Sequence, residues 1–387
     1  MREVAVVGVG MTRIGVIDKT STEMLAEAAM EAINESSLKL KDIQALFLGN
    51  AGGQREEGQG IMASFAADEI GITGVPATRF EGACSSGAMA FREAFMWVAS
   101  GYYDIVLAAG AERQTMLSTP FITSVMTGGV HAYYEAPSGI TFPGVFAMLT
   151  HLYSKKYGVS LTELKECMAM VAIKAHKNGS LNPKAQFQKE ISMEQVLKSF
   201  MVAQPLQLFD CCPVSDGAAA AVLASADVAS KLVKKPIYIA GVGQASAGSL
   251  IGQKELPRVK ARELSAKRAY QSAGLTPEDI DVCELHDCFT IAEILATEGL
   301  GFFNHGEGYK AVKNGETQIG GRIAINPSGG LKARGHPVGG TGLAQIYEIT
   351  KQLRKECGRR QVERAKIGMT DTLGGDLCSV VNIILRG

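Results

Sequence analysis

The chain has no surplus of either charge: Lys plus Arg and Asp plus Glu each total 39 in 387 residues. A nucleic-acid binder ordinarily carries a basic excess or a basic run, and neither is present. No stretch reaches the roughly 18 consecutive apolar residues that mark a membrane span. The eight cysteines include no C-x-x-C pair. That speaks against a disulfide framework and against a zinc site, and a reduced, cytoplasmic setting is expected. The opening MREVAVVGVG is too short and too glycine-rich for a signal peptide, and reads as a first strand. Charge is also missing locally. Between Gln114 and Ser154 the one charged residue is Glu135, in a stretch rich in Gly, Thr, Ser, Phe, Met and Tyr. Such a segment is either interface and loop packing or a lid over an apolar substrate tunnel.

What is present describes an ordinary soluble protein with a large core: 46% hydrophobic and 20% charged residues. The length allows two or three domain-sized units. The sequence also repeats itself. VAVVGVG at 4–10 returns as IYIAGVG at 237–243. A helical segment follows each, around Met24–Ile33 and around Arg262–Ala273. Asp42-Ile43 then matches Asp279-Ile280, each leading into a strand. FEGACSSGAMA in the first half faces GHPVGGTGLAQ in the second, and DIVLAAGAE faces AKIGMTDTLGG. Each half therefore reads as strand, helix, strand, strand, turn, helix, strand. The expected fold is a duplicated α/β architecture. Its halves are 1–235 and 236–387, with an insertion of about 113–235 in the first. Gly8-Val9-Gly10 does not make a dinucleotide fingerprint, since the next glycine, Gly15, comes too late. These glycines, and their repeats Gly241 and Gly243, read as strand-to-loop turns.

Three motifs place reactive side chains among small or apolar neighbours: Gly82-Ala83-Cys84-Ser85-Ser86-Gly87, His286-Asp287-Cys288-Phe289 and Gly335-His336-Pro337. Cys84 falls where a strand hands over to a helix whose Ala88, Phe91, Phe95 and Val98 share one face. A lone cysteine among small residues is most often packing. The repeat changes that reading, because Cys84 and His336 sit at equivalent turns that twofold packing would bring together. A helix N-terminus and an imidazole both lower a thiol pKa. Free amides at such a turn can hold an oxyanion. The constellation suits acyl transfer through a thioester on Cys84.

Taken together, the duplicated halves, G-A-C-S-S-G, Asp216-Gly217-Ala218-Ala219-Ala220, HDCF, GHPVGGTG and the closing TLGGDLCS resemble the thiolase superfamily over essentially the whole chain. HDCF in place of N-E-A-F resembles the sterol-carrier-protein type and similar archaeal and bacterial acetyl-CoA acetyltransferase-like enzymes. The resemblance implies a thiolase-like fold and coenzyme A as substrate, with no covalently bound cofactor and no metal. It implies Cys84 as nucleophile, His336 as its activator and His286 as the group holding the thioester oxygen. It implies Cys288 as the acid/base for the α-proton, and amides at Cys84 and the Gly374-Gly375 turn as an oxyanion hole. Many thiolases keep the acid/base cysteine in a C-terminal C-x-G motif. Here that segment reads Leu373-Gly374-Gly375-Asp376, and Cys378 is expected to be buried in a strand.

The resemblance further implies cleavage of a 3-oxoacyl-CoA, or the reverse Claisen condensation. Two alternatives stand beside it. A decarboxylating ketoacyl synthase would need no Cys288. A non-catalytic acyl-CoA-binding scaffold would need none of the four side chains. Phe121, Tyr133, Tyr134, Phe142 and Phe146 in the uncharged segment favour a bulky or aromatic acyl group over plain acetoacetyl. A homodimer or higher oligomer pairing through VPATRF and a small zinc-ribbon and OB-fold companion subunit follow from the same resemblance. No phosphate ligand for coenzyme A is legible.

Overall fold

In the computed structural model, which describes residues 1–387, the strands are β1 (Val4–Met11), β2 (Leu46–Gly49), β3 (Ala77–Phe80), β4 (Ile105–Glu112), β5 (Met201–Ala203), β6 (Leu206–Gln207), β7 (Gly217–Ser225), β8 (Ile237–Ser246), β9 (Val282–Glu284), β10 (Ala324–Ile325), β11 (Ile367–Gly374) and β12 (Ser379–Arg386). All but β5 and β6 form one ten-stranded sheet ordered β10-β9-β11-β12-β8-β1-β7-β4-β2-β3. The order is a palindrome of the two halves. The halves meet where β1 pairs with β8 through Ala5 opposite Tyr238 and Val6 opposite Ile237.

Alternation along the strands fixes the layers. Val4 and Val6 of β1, Val106 and Ala108 of β4, and Val381 and Ile383 of β12 point into one core. That core also holds the helices Ser86–Ser100 and Thr341–Arg354. The opposite faces carry Ser21–Glu35 and Met62–Ile70 on the first half and Lys260–Ala273 on the second. The two helices that follow the glycine-rich turns therefore lie together in the middle, between the two half-sheets.

Glycine makes that middle layer narrow enough. A Cβ on Gly87 would sit 2.4 Å from the Gly339 carbonyl oxygen, and one on Gly342 would sit 2.3 Å from the Ala88 amide nitrogen. The glycines of both turns thus serve backbone-to-backbone contact between the repeats.

Two expectations change here. The glycines in VGVG are not strand-to-loop turns. Gly8 and Gly10 lie inside β1, where a Cβ would come within 2.0 Å of the Ala32 and Ala28 carbonyl oxygens of the covering helix. Gly241 and Gly243 do the same in β8 against Ala269 and Ser265. The insertion is also shorter than expected. The alanine-rich strand β7 pairs with β1 and β4, and holds the place in the first half that β12 holds in the second. The span without a counterpart is therefore 113–216. It carries the helices Thr119–Met126, Phe142–Tyr157 and Leu161–Ser180 and the small β5–β6 ribbon. No helix is long and apolar enough to cross a membrane.

Candidate active site

Ligands of open α/β sheets gather at the carboxyl ends of parallel strands. Three such ends carry the site: β3 leads to Cys84, β9 to His286, and β11 to Gly374. Cys84 lies in a tight turn, Ala83–Ser85, just before the helix Ser86–Ser100. Both serines of G-A-C-S-S-G staple that turn. Ser86 Oγ accepts from the Gly82 amide at 2.9 Å and donates to the Ala83 carbonyl at 2.6 Å. Ser85 Oγ donates to the Gly82 carbonyl at 2.7 Å. Ala83 itself is held at φ +50°, a left-handed conformation that costs an L-residue about 1–2 kcal/mol. Ala83→Gly should relieve that strain and raise the thermal midpoint slightly. A drop in midpoint would show that the alanine methyl, and not the backbone, sets the turn.

The amides of Cys84 and Gly375 both favour a charged Cys84 sulfur. Gly374 serves differently: a Cβ there would lie 2.1 Å from the Gly82 carbonyl oxygen, so its smallness lets β11 close over the turn. Cys378 does not become a buried strand residue as expected. It sits in the turn before β12, half-buried, with its sulfur 3.6 Å from the Gly374 carbonyl. It faces a separate polar cavity shared with His131, Ser249 and Asp376. The break in pairing after Gly374 keeps it off the strand.

The Cys84 sulfur and one ring nitrogen each of His286 and His336 lie within 4.8 Å of one another. The two imidazoles meet edge to face, with centroids 5.1 Å apart. Thr341 Oγ1 donates to the Pro337 carbonyl at 3.0 Å and lies 2.7 Å from His336 Nδ1. With its one proton given to the carbonyl, the threonine oxygen accepts from Nδ1–H. That tautomer leaves Nε2 of His336 as a free acceptor. Nδ1 of His286 is buried with no partner. Sulfur and two imidazoles would suit a soft divalent ion, but they equally suit proton transfer to and from a bound thioester.

Buried carboxylates hold these loops. Glu284 pairs with Arg334 at 3.0 Å, both fully buried, tying the end of β9 to the approach to His336. Asp371 pairs with Arg262 at 3.0 Å, and its other oxygen accepts from the His286 amide at 3.4 Å. Asp287 accepts from the Leu331 amide at 2.7 Å. Glu112, at the end of β4, accepts from the Ala51, Gly52 and Gly339 amides at 2.9–3.0 Å. It thereby pins the turn after His336 to the first half.

Burial dominates the electrostatics. It pushes the Cys84 thiol up to about 12, and the Glu112 carboxylate adds to this; the amides of Cys84 and Gly375 pull the other way. The expected lowering of this pKa is thus outweighed by burial. Burial, aided by Arg334, lowers His336 to about 3. Burial first, and then His336, lowers His286 well below its ordinary value. Burial thus favours the neutral form of both imidazoles and the protonated thiol form of Cys84. Alkylation of Cys84 by iodoacetamide should therefore climb about tenfold per pH unit across roughly pH 6 to 9 without a plateau. A plateau near neutrality would reveal a resting thiolate–imidazolium pair.

Cys84, His286, Cys288 and His336 open into one cavity of about 310 Å³. That volume is at the small end of ligand pockets. The uncharged segment forms much of its wall through Ile122, Met126, Val130, Ile140, Phe142 and Phe146. Of the five aromatics named from the sequence, Phe142 and Phe146 line it, whereas Phe121, Tyr133 and Tyr134 are exposed. Glu135, the lone charge of the segment, is buried and accepts from the Ile251 amide at 3.0 Å, fastening this wall to the second half.

Sequence reasoning missed Cys211 and Cys212, which line the same cavity. Their signal was the Cys-Cys-Pro run just before Ser215-Asp216-Gly217. It also missed Glu112, whose signal was an acid at the end of an otherwise apolar strand.

A duplicated, palindromic sheet with a cysteine and two histidines at the meeting of its central helices defines a class of acyl-transferring enzymes. Residues 4–227 match the family described as "Thiolase, N-terminal domain", and residues 243–387 match "Thiolase C-terminal domain-like". The acetyl-CoA acetyltransferase of Methanothermobacter thermautotrophicus is 45% identical over 97% of both chains. The benzoylsuccinyl-CoA thiolase subunit BbsB of Thauera aromatica is 34% identical over 97% of this chain and 95% of its own. The solved structure of an "Ltp2-ChsH2(DUF35) aldolase" superposes with a TM-score of 0.84 at 24% identity, covering 100% of this chain and 98% of that one. The chain belongs to the thiolase family. It is an acyltransferase enzyme, with coenzyme A as substrate.

Proposed function

We propose that the chain is a thiolase that cleaves a 3-oxoacyl-CoA, or condenses two acyl-CoA molecules in reverse, through an acyl group carried on Cys84. One observation carries this reading: Cys84, His286, Cys288 and His336, from separate segments of the chain, open into a single cavity. In cleavage, Nε2 of His336 takes the Cys84 proton as the sulfur attacks the 3-oxo carbon. The amides of Cys84 and Gly375 hold the oxyanion that forms. Collapse breaks the C2–C3 bond. His286 and His336 face the thioester oxygen of the departing enolate, and Cys288 protonates its carbon. Coenzyme A then gives its thiol proton to Cys288 and attacks the acyl group on Cys84, whose sulfur leaves and takes back the proton held by His336. Each oxyanion donor contributes about 10²–10³ in rate. The presence of Cys288 beside Cys84 favours this chemistry over decarboxylative condensation, which leaves no α-proton to move.

The apolar wall of Ile122, Met126, Val130, Phe142 and Phe146 supports an acyl group larger than acetyl, bulky or aromatic. The test compares kcat/KM for acetoacetyl-CoA with that for a 3-oxoacyl-CoA carrying a phenyl group. A higher value for the aromatic substrate supports the reading. A much lower one assigns the wall to packing and the substrate to the short-chain class.

Coenzyme A is a substrate here, and no covalently bound cofactor enters the steps. The reading places the enzyme in the cytoplasm as a homodimer. Strand β3 ends the sheet with one edge unpaired, which supports pairing of two copies there. A zinc-ribbon and OB-fold companion subunit belongs to the same proposal, supported by the DUF35 component named for the similar aldolase structure.

A further inference from the structure

The thiolase steps proposed above leave Cys288 as a thiolate for an interval. It has given its proton to the enolate carbon, and coenzyme A has not yet supplied another. Burial pushes that thiol far above its ordinary pKa, so the charge needs a donor close by. The charged and titratable groups around Cys288 are Cys212, Cys84, Asp287 and Arg262, together with the two histidines of the cavity. Cys84 carries the acyl group during this interval and has no proton to offer. His336 holds the proton that the Cys84 sulfur takes back in the second half-reaction, and both imidazoles face the thioester oxygen in the steps proposed above. Arg262 is bound to Asp371 at 3.0 Å. Asp287 is an acid whose negative form would repel the thiolate.

Cys212 remains. Its amide donates to the Cys288 carbonyl at 2.9 Å, next to the antiparallel bridge between Cys211 and Phe289. Residues 212 and 288 are therefore directly opposite each other, and both side chains line the cavity. The Cys211 sulfur is engaged by a carbonyl of its own segment, 3.5 Å from the Gln207 oxygen. Behind the pair lies Lys332, 2% exposed, whose ammonium donates to the Cys211 carbonyl. Its charge favours a Cys212 thiolate, against the burial that pushes that thiol up.

We infer that Cys212 is a further catalytic thiol of this site: its S–H donates to the Cys288 thiolate between the two half-reactions, with the Lys332 ammonium as the counter-charge. No bond forms or breaks at Cys212. Its proton stays shared until coenzyme A returns one to Cys288. This inference rests on the thiolase reading, but it can be tested without any substrate.

In a Cys84→Ala background, the rate of iodoacetamide labelling of Cys288 is followed against pH by mass spectrometry. Adding Cys212→Ala should slow labelling at neutral pH by about tenfold and shift the profile to higher pH. Cys212→Ser, which keeps a donor, should restore most of the rate. Unchanged or faster labelling in Cys212→Ala, as expected if the side chain only fills space, would overturn the inference. Lys332→Met should shift the profile in the same direction as Cys212→Ala; no shift there would remove the counter-charge from it. A wild-type protein that cleaves no 3-oxoacyl-CoA would instead tell against the thiolase reading, and would leave the labelling result intact.

Discussion

Replacing Cys84 by alanine is expected to lower the cleavage rate by about 10⁴-fold or more while leaving the thermal midpoint close to that of the wild type. The loss is chemical. Cys84 is small, its side chain opens into the cavity, and the turn around it is held by Ser85 and Ser86 rather than by the thiol. The alanine protein should still bind acyl-CoA, since the cavity wall is untouched. Cys84→Ser makes the sharper comparison. It keeps the shape but offers His336 a far weaker acid to deprotonate, so its residual activity should stay within roughly tenfold of the alanine variant. Serine activity near the wild-type level would mean that the group at 84 positions substrate and that the nucleophile lies elsewhere.

The second large effect is on the fold. Gly342→Ala is expected to destabilise the protein by about 3 kcal/mol or more, seen as a lower thermal midpoint or loss to the insoluble fraction. The added methyl would sit 2.3 Å from the Ala88 amide nitrogen and 2.8 Å from the Ala88 Cα. Those are backbone atoms of the facing central helix, so no side-chain rotation relieves the clash. The two helices would have to part, and with them the turns that bring Cys84 and His336 together. Gly60→Ala is the control: a Cβ there meets nothing within 4 Å, so the midpoint should not move. Equal midpoints for both variants would show that the central layer has slack.

Much of this architecture was legible because a duplication writes the same physics twice. Asp42 and Asp279 each accept the amide three residues earlier at 2.8 Å, closing the same turn before β2 and β9. Gly8 and Gly10 recur as Gly241 and Gly243 for the same close helix approach. The repeat located Cys84 and His336 at matching turns, but it could not give their separation. That depends on how β1 meets β8 across only two residue pairs, a detail with no local signal. The last strand of the first half was missed for a similar reason. β7 reads as an alanine run, GAAAAVLAS, with no alternation, because both its faces are buried.

The ionisation of the site was the least legible part. A helix N-terminus and a nearby imidazole argue for an acidic thiol, and both are present. What decides the direction is desolvation by the surrounding protein, with the Glu112 carboxylate adding to it, and Glu112 lies 28 residues along the chain from Cys84. Cys212 escaped notice likewise: it reaches Cys288 only through a short bridge between the insertion and the second half.

The most direct measurement is to incubate the wild-type protein with a 3-oxoacyl-CoA, quench it in acid and map the acyl group by mass spectrometry. Acyl transfer through Cys84 predicts one adduct, on Cys84, that disappears when coenzyme A is added before the quench and never forms in Cys84→Ala. An adduct on Cys212 or Cys288 instead, or cleavage that proceeds at full rate in Cys84→Ala, would show that the reaction does not pass through Cys84.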